Sequence, residues 1–146
     1  MNANISLKSL INFLKSKSIN NFNELLKFES VLKNNITDWV THVKISDETY
    51  TKNILYRNKD LEIILISWLP GQHSKLHSHP KNGCILKVLE GELHEVKVNG
   101  KKTLETNIKI NQVSTMHDNL GKHIISNIGD KTAVSLHVYS PPNFYN

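Results

Sequence analysis

Two histidines separated by one residue, His77 and His79, form the first pair of side chains that could bind a metal ion. On a β-strand, positions i and i+2 point to the same face, so both imidazoles can reach one ion. A single His-x-His pair is a weak signal, because histidines also occur as ordinary polar residues. The pair therefore indicates a metal site only if other residues supply further ligands.

A second set of polar residues follows the same two-residue period near the end of the sequence. Ser135, His137 and Tyr139 occupy positions i, i+2 and i+4 of one predicted strand, so they face one side of it. When buried, each needs a hydrogen-bond partner, and a Ser–His–Tyr chain supplies them. Such a chain would either place the phenol near a metal or only satisfy its own polar groups. It is not a hydrolase triad, because neither a G-x-S-x-G motif nor a suitable acidic residue accompanies it.

The sole arginine and the sole cysteine are the other candidates for chemistry. Arg57 is the only arginine among 18 basic residues and lies on a predicted strand. A guanidinium matches a carboxylate in a bidentate pair, which would suit an amino-acid substrate, although most arginines form surface ion pairs. Cys84, taken by itself, is typical of a small buried apolar residue.

The spacing around the histidine pair resembles the first motif of the cupin family, with a cysteine at the position where cupins usually have a glutamate. The segment reads Gly71-x5-His77-x-His79-x4-Cys84-x6-Gly91. Further along, Gly121, His123 and Asn127 resemble the end of the second cupin motif. In that motif the histidine is the third metal ligand.

A closer resemblance is to the cysteine dioxygenase branch of the cupins. In that branch a cysteine replaces the glutamate, and a Ser-x-His-x-Tyr segment lies near the end. The resemblance extends in the same order from about Arg57 to Pro142. It is carried by Tyr56-Arg57-Asn58, by the stretch from Gly83 to Gly91 and by the segment from Ser135 to Pro142.

This resemblance implies a mainly β fold, a small cupin β-barrel (a jelly-roll-like sandwich) with the N-terminal α-helices packed on it. It implies one Fe(II) per chain, held by His77, His79 and His123, with His117 beside Asp118 as the rival third ligand. Three neutral imidazoles leave the charge of the iron uncompensated and coordination positions open, so a substrate thiolate can bind. The implied reaction is oxidation of L-cysteine by O2 to cysteine sulfinic acid, with both oxygen atoms incorporated.

The resemblance also implies roles for individual residues. Arg57 would bind the carboxylate of the substrate. Tyr139, in a chain with His137 and Ser135, would lie near the metal as part of the catalytic set. The sulfur of Cys84 would form a thioether bond with the Tyr139 ring.

Two features leave the substrate open. The family has a tyrosine two residues before the arginine, where this sequence has Leu55, so a contact is missing unless a β-bulge re-aims Tyr56. The family also continues with further strands after the segment that ends at Pro142, so we expect one pocket wall to be absent or built differently. The alternatives are a dioxygenase of another small thiol, such as 3-mercaptopropionate, and a cupin that binds a metal or small molecule without turnover.

The elements that must position these residues follow from hydrophobic periodicity. Leu7, Leu10 and Leu14 predict a first helix capped by Ser6, and the same period predicts a second helix from Phe22 to Leu32. An Asn99-Gly100 pair predicts a hairpin. The predicted strands are Lys52–Arg57, Leu61–Trp68, Cys84–Leu89, Leu93–Val98, Lys101–Thr106, Lys122–Ser126 and Ala133–Tyr139.

Length and composition suit one domain over residues 1–146, with a helical segment over 1–35 and the barrel from about 52 to 146. The lysines behind the net charge of +5 are scattered and not interleaved with aromatic residues, so we expect no nucleic-acid partner. No apolar run approaches the roughly 18 residues of a membrane span, and a lone cysteine cannot form an internal disulfide. We expect a cytoplasmic monomer whose partners are L-cysteine and O2.

Overall fold

The computed structural model describes residues 3–145 and shows a mainly β protein, in which two sheets face each other and the helices cover one of them. Met1, Asn2 and Asn146, at the ends of the predicted domain, lie outside the described residues. The strands are β1 (Asn4–Ser6), β2 (Asn35–Thr37), β3 (Thr51–Arg57), β4 (Glu62–Trp68), β5 (Cys84–Glu90), β6 (Leu93–Asn99), β7 (Lys102–Ile108), β8 (Val113–Met116), β9 (Lys122–Ser126) and β10 (Ala133–Tyr139). The helices are α1 (Leu7–Lys15), α2 (Phe22–Leu26) and α3 (Glu29–Leu32), and short 3-10 turns span Val40–His42 and Asp118–Leu120.

The larger sheet has the strand order β3-β4-β10-β5-β8, with antiparallel neighbours throughout, and the smaller sheet has the order β7-β6-β9. Every residue of β4 and of β10 is buried. The helices pack on one face of the larger sheet, and the smaller sheet packs on the other face. A strand covered on both faces carries apolar residues at consecutive positions, which is the pattern that the sequence of β4 shows.

The helical segment follows the prediction in α1 and departs from it afterwards. The Ser6 side chain accepts a hydrogen bond from the Ser9 amide, and the apolar stripe of α1 is buried. The predicted second helix is two short helices, α2 and α3, separated by Lys27 and Phe28. The ammonium group of Lys87 on β5 is buried and donates to the carbonyls of Leu32 and Asn34. This contact ties the end of α3 to the sheet.

All seven predicted strands occur, with ends within two residues of the prediction, and Asn99 pairs with Lys102 across the expected hairpin. Three strands were missed. β1 and β2 are three residues each and pair in parallel, and β8 has Ser114 and Thr115 at its centre. Such short strands give too few positions for a period to be recognised. No helix among the described residues is long and apolar enough to span a membrane.

Candidate active site

The structure brings His77, His79 and His123 together. The first two lie in the connection between β4 and β5 rather than on a strand, so strand geometry is not what brings them to one side. An isolated bridge instead joins the backbones of His77 and His123, with N–H···O distances of 3.1 and 3.3 Å. Their candidate ligand atoms and that of His79 all lie within 4.8 Å of one another. The rival ligand, His117, lies outside this group and bonds to the Lys81 carbonyl at 2.9 Å.

Hydrogen bonds fix the tautomers of two of these rings. Nδ1 of His77 lies 2.7 Å from the Lys75 carbonyl, and Nδ1 of His123 lies 2.7 Å from a carboxylate oxygen of Glu95. Both partners are acceptors, so each ring carries a hydrogen on Nδ1, and the form of the ring that binds a metal has its lone pair on Nε2. The two Nε2 atoms are 2.9 Å apart. Two facing lone pairs at this distance repel each other unless a cation or proton lies between them.

The third ring gives an independent indication of a cation. His79 is buried, and neither of its ring nitrogens has a hydrogen-bond partner among the described residues. A buried, unsatisfied polar atom costs roughly 1–3 kcal/mol, and coordination would remove that cost. Two nitrogens bound at about 2.1 Å and at a right angle would also lie about 3 Å apart, close to the observed 2.9 Å. The donor set therefore fits a transition metal such as zinc or iron.

The protonation states agree with this chemistry. Burial, followed by the nearby His123, lowers the pKa of His77 to about 4. Burial, with His123 and His77, lowers the pKa of His79 to about 2. Burial alone would raise the pKa of Glu95, but the hydrogen bonds from His123 and Ser114 outweigh it and lower that pKa. At neutral pH His77 and His79 are therefore neutral imidazoles, the form that binds metals, and one buried carboxylate lies next to His123.

Ser135, His137 and Tyr139 form the predicted chain on the inner face of β10. Oγ of Ser135 lies 2.7 Å from Nε2 of His137, and Nδ1 of His137 lies 3.1 Å from the Tyr139 hydroxyl. Sequence reasoning missed the residue at the start of the chain, Trp68, whose indole N–H donates to Ser135 at 2.9 Å. All four side chains are buried.

The donor at the start sets the direction of the whole chain. An indole N–H can only donate, so the Ser135 oxygen accepts it, and the serine hydroxyl is left to donate to Nε2 of His137. Burial lowers the pKa of His137, so the ring is neutral and carries its one hydrogen on Nδ1. That hydrogen is donated to the Tyr139 oxygen. The hydroxyl hydrogen of Tyr139 then remains available to an acceptor in the adjoining cavity.

Cys84 and Tyr139 are directly opposite each other in the register of β5 and β10. Both belong to the buried cluster between the two sheets. Side chains opposite each other on one face of an antiparallel pair have Cβ atoms about 4.5–5.5 Å apart, which is within reach of a tyrosine ring. Burial raises the pKa of the Cys84 thiol well above its usual value, so the sulfur is protonated at neutral pH.

A cavity of about 510 Å³ opens beside these groups. Its lining includes His77, His123, His137 and Tyr139, while His79 and Cys84 are buried and are not among its lining residues. The other lining residues are Glu48, Thr49, Tyr50, Lys52, Ile66, Trp68, Gly71, Gln72, His73, Ser74, Lys75, Ile125 and Tyr145.

Arg57 is not among the described residues that line this cavity, which contradicts the role predicted for it. Its Nη2 and Nε lie 2.6 and 2.7 Å from one carboxylate oxygen of the buried Glu62. The guanidinium therefore already has a carboxylate partner within the protein. A β-bulge does occur between Ile54 and Tyr56, but Tyr56 packs against the cluster under the helices and not into the cavity.

The cavity instead contains a different tyrosine and cation with the same spacing. Tyr50 and Lys52 both line it, and Lys52 is opposite the inward-facing Ile66 in the register of β3 and β4. The Lys52 ammonium lies 5.9 Å from the centroid of the Tyr50 ring, which stacks on Trp68 at 4.6 Å. A tyrosine two residues before a cation was the available signal. Sequence reasoning missed it because Arg57, the sole arginine and the stronger match for a carboxylate, lies at the end of the same strand.

Comparisons with known proteins identify the family and the fold. Residues 3–145 match the family described as "Cysteine dioxygenase type I". Cysteine dioxygenase type 1 of Danio rerio is 30% identical over 151 residues, covering 93% of this chain and 73% of that protein. Its Homo sapiens counterpart is 31% identical over 132 residues, covering 84% and 66%. An RmlC-like cupin protein of Desulfovibrio desulfuricans superposes with a TM-score of 0.55 at 18% identity, over 70% of this chain and 93% of that one. The fold is therefore a cupin-like jelly-roll sandwich.

Proposed function

Since the chain belongs to the cysteine dioxygenase type I family, we propose that it is an Fe(II)-dependent thiol dioxygenase that oxidises L-cysteine with O2 to cysteine sulfinic acid. The observation that carries this proposal is that one cavity adjoins the three-histidine cluster, the Tyr139 hydroxyl and the Lys52 ammonium. In that cavity, the thiol of a small substrate could bind a metal at the histidine cluster, and its carboxylate could bind the Lys52 ammonium.

His77, His79 and His123 are the residues that would hold the iron. Iron bound there would supply the redox chemistry by which both atoms of O2 are added to the sulfur of the thiol. Trp68 and the rings of Tyr50 and Tyr139 line the same cavity. These aromatic walls would limit the access of water to the reacting sulfur.

Lys52 is the residue that we propose to bind the carboxylate of the substrate, in the role first predicted for Arg57. Among the described residues, Lys52 and Lys75 are the two lysines that line the cavity. Lys52 is favoured because it lies on β3 and its ammonium is 5.9 Å from the centroid of the Tyr50 ring and 5.1 Å from that of the Tyr145 ring. A lysine ammonium is a point charge, whereas an arginine guanidinium is planar and binds a carboxylate through two hydrogen bonds. Lys52 would therefore restrict the orientation of the carboxylate less than an arginine would.

Tyr139 is proposed as the catalytic residue beside the reacting atoms, with His137, Ser135 and Trp68 as positioning residues. Burial, with the nearby Cys84, raises the pKa of the Tyr139 phenol, so it is a hydrogen-bond donor at neutral pH. The direction of the hydrogen-bond chain leaves its hydroxyl hydrogen for the substrate or for O2.

Cys84 and Tyr139 are also proposed to become joined by a thioether bond, in support of which they face each other across two strands. The sulfur would bond to the ring carbon ortho to the hydroxyl, with loss of the thiol hydrogen and one ring hydrogen. O2, the co-substrate of the proposed reaction, would accept the two hydrogens with their two electrons and leave as hydrogen peroxide. The bond would fix the phenol in place and stop Cys84 from competing for the metal.

The decisive experiment is oxygen uptake by protein loaded anaerobically with Fe(II), with L-cysteine, 3-mercaptopropionate and cysteamine compared. We expect cysteine to be the best substrate and to yield a sulfinic acid that carries two labelled atoms when ¹⁸O2 is supplied. Faster turnover of 3-mercaptopropionate would assign the site to that thiol. Protein that holds iron and consumes oxygen with none of the three would instead be a binding protein.

The Lys52 assignment has its own test. Lys52→Met should raise the KM for cysteine by about tenfold or more, because a charged hydrogen bond contributes roughly 1.5–3 kcal/mol. Turnover of cysteamine, which lacks the carboxylate, should not change. Lys75→Met and Arg57→Met are the matched controls. A larger effect of either control on the KM for cysteine would transfer the role to that residue.

A further inference from the structure

Tyr145 contacts both ends of the proposed substrate site. Its ring packs edge-on against the ring of His77 at 5.6 Å and against that of Tyr139 at 5.0 Å. The ammonium of Lys52 lies 5.1 Å from the centroid of the same ring. A single side chain therefore contacts a candidate metal ligand, the proposed catalytic phenol and the proposed carboxylate-binding cation.

The ring is also held in position. The Tyr145 hydroxyl donates a hydrogen bond of 2.7 Å to the carbonyl of Ser78, the residue between His77 and His79. Its other edge packs against Phe144 at 4.9 Å. Because the ring packs against His77 in the histidine segment and is also in contact with Lys52, the ring couples the positions of the two.

Such coupling matters because the volume of the cavity cannot select a small thiol. About 510 Å³ lies within the range of pockets that accept drug-sized molecules. A thiol one methylene longer than cysteine would therefore fit. Discrimination must come from a fixed spacing between the point that binds the sulfur and the point that binds the carboxylate.

We propose that Tyr145 is a specificity-determining residue, which sets the spacing between the histidine cluster and Lys52 and thereby the length of the thiol acid that is oxidised. This inference rests on the proposed function. The substrate class is a short carbon chain with a thiol at one end and a carboxylate at the other. Without the ring, the Lys52 ammonium would lose its contact with Tyr145 and could move to the position of the carboxylate in a longer substrate.

The experiment compares cysteine with homocysteine, which is one methylene longer, in the parent protein and three variants. In Tyr145→Ala the ratio of kcat/KM for cysteine to that for homocysteine should fall by about tenfold, the size of effect that one methylene has in a shaped site. Tyr145→Phe retains the ring and should retain the ratio within about threefold. Phe144→Ala removes a ring that packs on Tyr145 but does not line the cavity, so the ratio should fall by less than in Tyr145→Ala, and an equal fall would overturn the inference.

Binding provides a second measurement that does not depend on turnover. Calorimetry with Zn(II)-loaded protein should show the same tenfold fall in the preference for cysteine over homocysteine in Tyr145→Ala. An unchanged ratio in both measurements would overturn the inference while leaving the dioxygenase proposal intact. An equal fall in Tyr145→Phe would also overturn it, because the ring would then not be the determinant. If the parent protein binds cysteine and never oxidises it, the function proposal fails, and the binding ratios still decide the role of Tyr145.

Discussion

Glu95 is bonded to Nδ1 of His123, on the opposite side of the ring from Nε2, the nitrogen that would bind a metal. The charge of Glu95 should therefore contribute strongly to metal affinity. The carboxylate is buried and accepts hydrogen bonds of 2.7 Å from Nδ1 of His123 and from Oγ of Ser114. A glutamine has the same shape, and the Ser114 hydroxyl can turn to accept from the new amide. Glu95→Gln therefore removes one negative charge with little change in packing.

The size of the effect follows from the distances. The carboxylate would lie about 7 Å from a divalent ion bound at Nε2 of His123, which corresponds to about 5 kcal/mol at an effective dielectric constant of 20. Lys97, at 3.9 Å from the same carboxylate, offsets part of this attraction. Loss of such a partner typically weakens metal binding 10- to 100-fold, or about 1.4–2.7 kcal/mol. Because water hardly screens the buried charge, we expect the effect to lie near the hundredfold end.

The assay is competition between the protein and a chelator of known affinity, with Zn(II) and Fe(II) measured separately at neutral pH. The matched control is Glu105→Gln, because Glu105 pairs with His94 at 3.2 Å on the same sheet but is 65% exposed. The control should bind metal like the parent. Equal metal affinity in Glu95→Gln and the parent would refute the reasoning, provided that both unfold at similar temperatures.

Four further outcomes are expected. His79→Ala should abolish metal retention, and His117→Ala should preserve it; full metal content in the first variant would disprove the ligand set. Because the pKa of His79 is about 2 when folded and about 6.5 when unfolded, protons bind the unfolded state preferentially below pH 6.5. The metal-free protein should therefore lose stability as pH falls from 6.5, by up to about 1.4 kcal/mol per pH unit for this residue, and thermal melts should record the loss. Trp68→Phe should reverse the hydrogen-bond chain and lower kcat roughly tenfold or more at unchanged metal content; an unaltered rate would contradict the proposed direction. After turnover, part of the protein should be lighter by two hydrogens and lack a free thiol, whereas Cys84→Ser and Tyr139→Phe should show no such species by mass spectrometry.

Local patterns in the sequence were sufficient to predict several features of the structure. Ser135, His137 and Tyr139 share a face because side chains alternate along any strand, whatever it packs against. The cap at Ser6 and the apolar stripe of α1 likewise depend on residues three and four positions apart. The spacing of His77 and His79 placed both histidines near one point even though their segment is not a strand.

Other features depend on contacts between residues that are far apart in the chain, and only the tertiary structure decided them. Glu95 supports His123 because β6 pairs with β9, and Trp68 starts the hydrogen-bond chain because β4 lies beside β10. Neither pairing has a local signal. Lys52 and Arg57 lie on the same strand, and both are plausible partners for a carboxylate from sequence alone. What separates them is where the cavity opens and where Glu62 lies, and both follow from how the sheets and their connections pack.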